Sequence, residues 1–300
     1  MSYCSKIYKY GDHEEQFYRL SYAEEFKGGE RRLPVVVIFH GGFWKEKYGL
    51  DNAAIETLCP YFVNQGYVVC EVEYRRREHI GGGFPGTNVD CVEALVMLSG
   101  HSREGLNFCD MDKTVYIGHS AGAYLSLWLC CSRANLQHKL SFSPILCVAI
   151  APIGNLEAAF LKRLGDEGDV IERFIGCTPN DDVGKLYDEA CPSRLLPLTT
   201  NCLLISGEND VDVPSELVKD FFNAVECERS RDNHDMNNIH NNDDVITETY
   251  TSKEFVIDGN RKVMQYFDIP DADHYTLVDS NSAAWDTLSQ MIKNICLKHV

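Results

Sequence analysis

The chain has 300 residues, with 28 Lys and Arg against 45 Asp and Glu, and a formal net charge of −17 when His is neutral. Nucleic acids and anionic membranes are both read by clustered basic residues, so this balance excludes both as partners; the one dense basic run, Arg75-Arg76-Arg77, stands between Glu73 and Glu78. With 44% hydrophobic and 24% charged residues, the composition is that of a globular protein able to bury a core of normal size.

The first sixteen residues mix Ser, Tyr, Lys, Asp and Glu without an apolar stretch, so no signal peptide is expected. The longest apolar runs, 35–39 and 145–151, are far short of the roughly 20 residues that span a bilayer. Thirteen cysteines are an odd number with no CxxC pair, and most lie in apolar runs (Cys70, Cys130, Cys147, Cys202). That usage predicts reduced, buried thiols in a cytoplasmic protein rather than a disulfide framework or a metal site.

From Val35 onward, short apolar strands alternate with longer helical segments, which predicts an α/β fold with a mostly parallel sheet covered on both faces. In chain order the expected elements are a strand over 35–39, a helix over 51–65, a strand over 67–74, a helix over 88–99, and a strand over 114–117. They continue with a helix over 121–131, strands over 145–150 and 201–206, a helix over 215–225, a strand over 262–267 and a last helix over 283–298. Two segments interrupt the alternation. Residues 152–197 hold short helical pieces and are expected to lie over the carboxyl ends of the strands as a cap, where α/β proteins bind ligands. Residues 226–254 are rich in Asn and Asp and poor in core residues, which predicts a flexible insertion within one domain spanning 1–300.

Gly118-His119-Ser120-Ala121-Gly122 is a G-x-S-x-G string that follows an apolar strand and opens an apolar helix, the strand-turn-helix context of a nucleophile elbow. A serine hydroxyl becomes nucleophilic when an imidazole takes its proton, and the imidazole needs a carboxylate to fix its tautomer and orientation. His274 follows the last strand, and Asp210 follows the strand over 201–206, with Glu208 and Asp212 as rival acids on the same loop. An oxyanion needs backbone N–H donors: one belongs to Ala121, the residue after the serine, and the other to the loop His40-Gly41-Gly42-Phe43-Trp44, whose glycines allow close backbone approach. His40 itself reads as a structural residue holding that loop. The literal GxGxxG at Gly81, Gly83 and Gly86 lacks the direct strand-to-helix turn and downstream acid of a dinucleotide fingerprint, so it reads as the entry to the helix at Asn88.

Together the H-G-G-x-W run at His40–Trp44 and the G-x-S-x-G string at Gly118–Gly122 resemble the α/β-hydrolases of the kynurenine formamidase (arylformamidase) and related carboxylesterase group. The resemblance extends through Glu73-Tyr74-Arg75-Arg76, the segment 82–87, the stretch 195–198, and the Asp210 and His274 loops, and covers about residues 33 to 295. It implies Ser120, Asp210 and His274 as the triad and Gly42 and Phe43, with Ala121, as oxyanion donors. It also implies hydrolysis of a formyl or small acyl group from an aryl amide or ester, such as N-formyl-L-kynurenine, or alternatively a general short-chain carboxylesterase. No metal or organic cofactor is needed for that chemistry. Trp44, with Phe43, is expected to stack on an aromatic leaving group. A non-catalytic ligand-binding homologue is the reading from another class, and a homodimer is a possible assembly.

Overall fold

Val35 to Phe39 are all buried, with no in-out alternation, because both faces of their strand are covered by other elements. They belong to β3 (Leu33–Phe39), a central strand of the computed structural model, which describes residues 2–26, 32–104, 108–131, 134, 140–232, 251–257 and 260–299. Among the described residues one sheet of nine strands runs in the order β1-β2-β4-β3-β5-β6-β7-β9-β8. The others are β1 (Tyr3–Lys9), β2 (Phe17–Ala23), β4 (Val68–Val72), β5 (Cys109–His119), β6 (Leu146–Ile150), β7 (Asn201–Gly207), β8 (Thr251–Ile257) and β9 (Asn260–Ile269). The six strands from β4 to β9 in that order pair in parallel, while β1, β2 and β8 add antiparallel edges. The expected strands are all present.

Three strands were not foreseen, and each departs from the buried apolar pattern for a physical reason. β1 is an edge strand with most of its residues exposed, and β2 mixes Arg19 and Ser21 with aromatics. β8, Thr251–Ile257, begins inside the segment expected as an insertion. The other end of that segment is also regular, since α7 (Ser215–Asp232) continues the helix expected over 215–225. Residues 233–250 lie outside the described residues.

The remaining helices are α1 (Leu58–Asn64), α2 (Gly86–Glu104), α3 (Ala121–Leu129), α4 (Leu156–Leu161), α5 (Val170–Ile175), α6 (Leu186–Ala190) and α8 (Ala283–His299). None of the described helices is long and apolar enough to cross a membrane. No disulfide joins the described cysteines, most of which are buried. Each guanidinium of the Arg75-Arg76-Arg77 run is occupied by carboxylates: Arg75 by Asp90, Arg76 by Glu15 and Glu73, Arg77 by Glu78 and Glu167.

The order of strands locates the site. From β3 the chain crosses to β4 on one side and then returns to β5 on the other, so β3 and β5 flank a point where the winding reverses. Loops leaving the carboxyl ends of two such strands diverge and open a crevice between them. His40 to Trp44 leave β3, and Ser120 leaves β5.

Candidate active site

Ser120 stands at φ 57° and ψ −122°, a left-handed conformation that an L-residue keeps only when its surroundings enforce it. The enforcement comes from close packing of the turn. A Cβ on Gly118 would lie 2.2 Å from the Gly122 carbonyl oxygen, and one on Gly122 would lie 2.0 Å from that of Phe39. Only glycine permits either approach, and α3 then rises from Ala121 with all nine of its residues buried. The Ser120 N–H donates to the Ile150 oxygen at 2.8 Å, fixing the turn to the end of β6. Its hydroxyl is buried and hydrogen-bonds to none of the described residues.

Asp210 follows β7 and His274 follows β9, two parallel neighbours. The His274 Nδ1–H donates to Asp210 Oδ2 at 2.7 Å, with both side chains nearly sealed from solvent. The other Asp210 oxygen accepts the backbone N–H groups of Asp212 at 3.0 Å and Val213 at 2.8 Å. The carboxylate is thereby held in one orientation, and His274 keeps Nε2 as a proton acceptor. Neither rival acid makes this bond: Glu208 accepts the Asp271 N–H at 3.4 Å, and Asp212 faces the cleft. Ser120 and His274 line one cleft of about 520 Å³ with Gly42, Phe43 and Tyr48.

The loop after β3 holds Gly42 and Phe43, the residues expected to supply oxyanion donors. Gly42, Phe43 and Trp44 take successive positive φ values of 102°, 51° and 55°. Gly41 lets this loop approach the elbow, since a Cβ there would lie 3.1 Å from Ser120 Cβ and 3.0 Å from the His119 oxygen. On the opposite side of the crevice the Ala121 N–H belongs to the first turn of α3, where helical N–H groups have no partner within the helix. The backbone N–H groups of Gly42, Phe43 and Ala121 therefore belong to the two loops that flank Ser120.

His40 braces the strained loop. Its ring is fully buried, stacks on Tyr74 at 4.2 Å, and meets the Gly41 carbonyl oxygen at 2.9 Å and Glu73 Oε1 at 2.8 Å. Tyr74 O–H donates to the His40 carbonyl at 2.6 Å, and Glu73 also takes the Leu50 N–H and the Arg76 guanidinium. Burial alone would raise the Glu73 pKa, but His40 and Arg76 outweigh it and bring the carboxyl down to about 2. A carboxyl lowered from 4.5 to about 2 contributes about 3 kcal/mol to stability above pH 4.5, lost as the pH falls through 2. Urea unfolding of Glu73→Gln against the parent should show that gap at pH 6 and its steady narrowing below pH 4.5. A gap that does not change with pH would show that the carboxylate charge is not what matters.

Trp44 does not take the place expected of it. Its indole is wholly buried, stacked on Phe174 of α5 at 3.9 Å and edge-on to Tyr124 of α3 at 5.2 Å. The left-handed turn exposes Phe43 to the cleft and buries Trp44 beneath it, so the aromatic wall is Phe43, Tyr48 and Tyr275. The segment 152–197 reaches the same loop: Lys45 Nζ is 3.7 Å from Asp166, and the Phe84 N–H donates to the Phe174 oxygen at 2.8 Å. The glycines at 81–86 serve this packing, since a Cβ on Gly83 would lie 3.0 Å from the Phe174 oxygen and one on Gly86 1.8 Å from that of Gly81.

Sequence reasoning assigned no role to His119, the residue just before Ser120 in the elbow. Burial, with His274 beside it, holds its imidazole well below the usual histidine range. The neutral ring donates Nε2–H to the His274 carbonyl oxygen at 3.0 Å, tying the Ser120 turn directly to the His274 loop. Only the position next to Ser120 hinted at this, since the bond joins residues 155 apart in the chain.

Several solved structures share this architecture. Esterase B from Lactobacillus rhamnosis superposes with a TM-score of 0.69 at 19% identity, over 98% of this chain and 84% of its own. A thermophilic esterase, Est2, from Thermogutta terrifontis gives 0.66 at 18% identity, over 98% of this chain and 92% of its own. An acetyl ester-xyloside bifunctional hydrolase from Caldicellulosiruptor lactoaceticus gives 0.66 at 15% identity, over 96% and 94%. At these identities the likeness establishes the α/β-hydrolase fold. No curated protein sequence matches the chain. The BD-FAE family model, however, matches residues 24–225, two thirds of the length and both the His40 and the Ser120 loops, so the chain belongs to the BD-FAE family.

Proposed function

We propose that the protein is a serine hydrolase that cleaves a formyl or small acyl group from an ester or aryl amide, with N-formyl-L-kynurenine, giving L-kynurenine and formate, as a substrate of this kind. The observation that carries the reading is the 2.7 Å bond from His274 to Asp210, in a cleft that also holds Ser120 and the left-handed loop at Gly42 and Phe43. His274 Nε2 takes the Ser120 proton as Oγ attacks the carbonyl carbon. The N–H groups of Gly42, Phe43 and Ala121 receive the oxyanion, and the imidazolium returns the proton to the departing alcohol or amine. Water, deprotonated by the same imidazole, then releases the acid and restores the serine.

The structural neighbours support the ester side of this reading, because they are described as esterases or as an ester hydrolase. The Thermogutta terrifontis esterase 2 is also known phosphonylated by sarin. The aromatic wall of Phe43, Tyr48 and Tyr275 suits a planar leaving group. A comparison of kcat/KM on N-formyl-L-kynurenine and on p-nitrophenyl acetate tests the substrate: a value on the formamide within about tenfold of that on the ester supports the formamidase reading. Turnover of the ester alone assigns a short-chain carboxylesterase.

A further inference from the structure

The charged side chains that line the catalytic cleft are Lys45, Asp166 and Asp212, apart from the histidines. Lys45 and Asp166 face each other at 3.7 Å and cancel. The charge of Asp210 is met by His274 and two backbone N–H groups. Asp212 has no such partner: among the described residues its backbone N–H is bonded, but its carboxylate accepts no hydrogen bond. One of its oxygens nevertheless lies within 4.8 Å of both an Asp210 oxygen and a His274 ring nitrogen. An uncompensated carboxylate thus stands at the reacting centre, half-buried, where water screens it less than at an open surface.

Two tyrosines line the same cleft. Tyr275 is 55% exposed and sits edge-on to His274 at 5.3 Å, and Tyr48 covers Gly42 of the oxyanion loop. Aromatic faces attract cations through their quadrupole, and a carboxylate beside them adds direct Coulomb attraction; neutral groups gain from neither field. We infer that Asp212, with the rings of Tyr48 and Tyr275, forms a subsite that selects substrates carrying an ammonium group near the scissile carbonyl over neutral isosteres and anions. The inference rests on Ser120 and His274 being the reacting pair. It assigns to Asp212 the choice of substrate rather than the bond-breaking itself.

Acetylcholine and 3,3-dimethylbutyl acetate make a suitable pair of probes, since they share shape and differ by one positive charge. The kcat/KM ratio of cation to neutral ester should be about tenfold in the parent protein and fall towards one in Asp212→Asn, while Asp212→Glu restores most of it. A parent ratio near one overturns the inference. So does an Asp212→Asn variant that slows both esters equally, which would mean that the carboxylate acts through His274. A binding arm needs no turnover: calorimetry on Ser120→Ala should show choline binding tighter than 3,3-dimethylbutan-1-ol, and the preference should vanish when Asp212→Asn is added. Equal binding of the two alcohols in Ser120→Ala counts against the subsite. Choline preference in a protein that cleaves no ester would instead leave the subsite standing and remove the hydrolase reading.

Discussion

Ser120→Ala abolishes turnover of any ester or amide substrate, with kcat falling by about 10⁴-fold or more, and leaves the thermal midpoint close to the parent value. The hydroxyl makes no hydrogen bond to the described residues, so its removal strands no partner. The left-handed backbone is held by Gly118, Gly122 and the Ile150 carbonyl rather than by the serine side chain. A fluorophosphonate probe should label the parent once and the variant not at all, read by intact-protein mass spectrometry. Equal labelling of both proteins would move the nucleophile away from Ser120, and no labelling of the parent would favour a silent binding module.

The second large effect is on stability and comes from Trp44. Truncation to Ala deletes a fully buried indole and its contacts with Phe174 and Tyr124, which costs about 3–5 kcal/mol and lowers the thermal midpoint by roughly 10 °C. Because Trp44 joins the loop after β3 to α5, the loss should also raise sensitivity to proteolysis within 152–197. Trp44→Phe keeps an aromatic ring on Phe174 and should recover much of the midpoint. If Trp44→Ala instead raised KM sharply with the midpoint unchanged, the indole would be acting on substrate after all.

Trp44 also shows where the sequence stops being informative. An aromatic residue beside two glycines has the same composition whether it faces a ligand or the core, and the choice depends on three successive left-handed residues that no periodicity announces. The central strands were legible because burial on both faces demands an unbroken apolar run, as in Val35 to Phe39. β1 was not, because an edge strand facing solvent carries polar residues such as Lys6, and β8 was not, because its sequence opens on Thr, Ser, Lys and Glu rather than on an apolar run. Ser120 was legible because tight packing at Gly118 and Gly122 admits only glycine, which prints the turn directly into the sequence. His274 and Asp210 could be named only by their places after strands. Glu208 and Asp212 shared that property, and the 2.7 Å bond separates them from Asp210. The bond from His119 to the His274 carbonyl has no local signature beyond the place of His119 next to Ser120, since its two ends meet only after the sheet has assembled.

The parallel pairing of β7 with β9 bears on how this protein tolerates change. Six consecutive pairs, from Cys202 with Met264 to Gly207 with Ile269, bring the Asp210 and His274 loops side by side. The 64 positions that separate Asp210 from His274 along the chain therefore do not set the distance between them. Lengthening the connection costs only closure entropy, about 0.6 kcal/mol for each doubling of a flexible loop. The contact between imidazole and carboxylate is thus set by the register of two strands rather than by the length of chain that joins them.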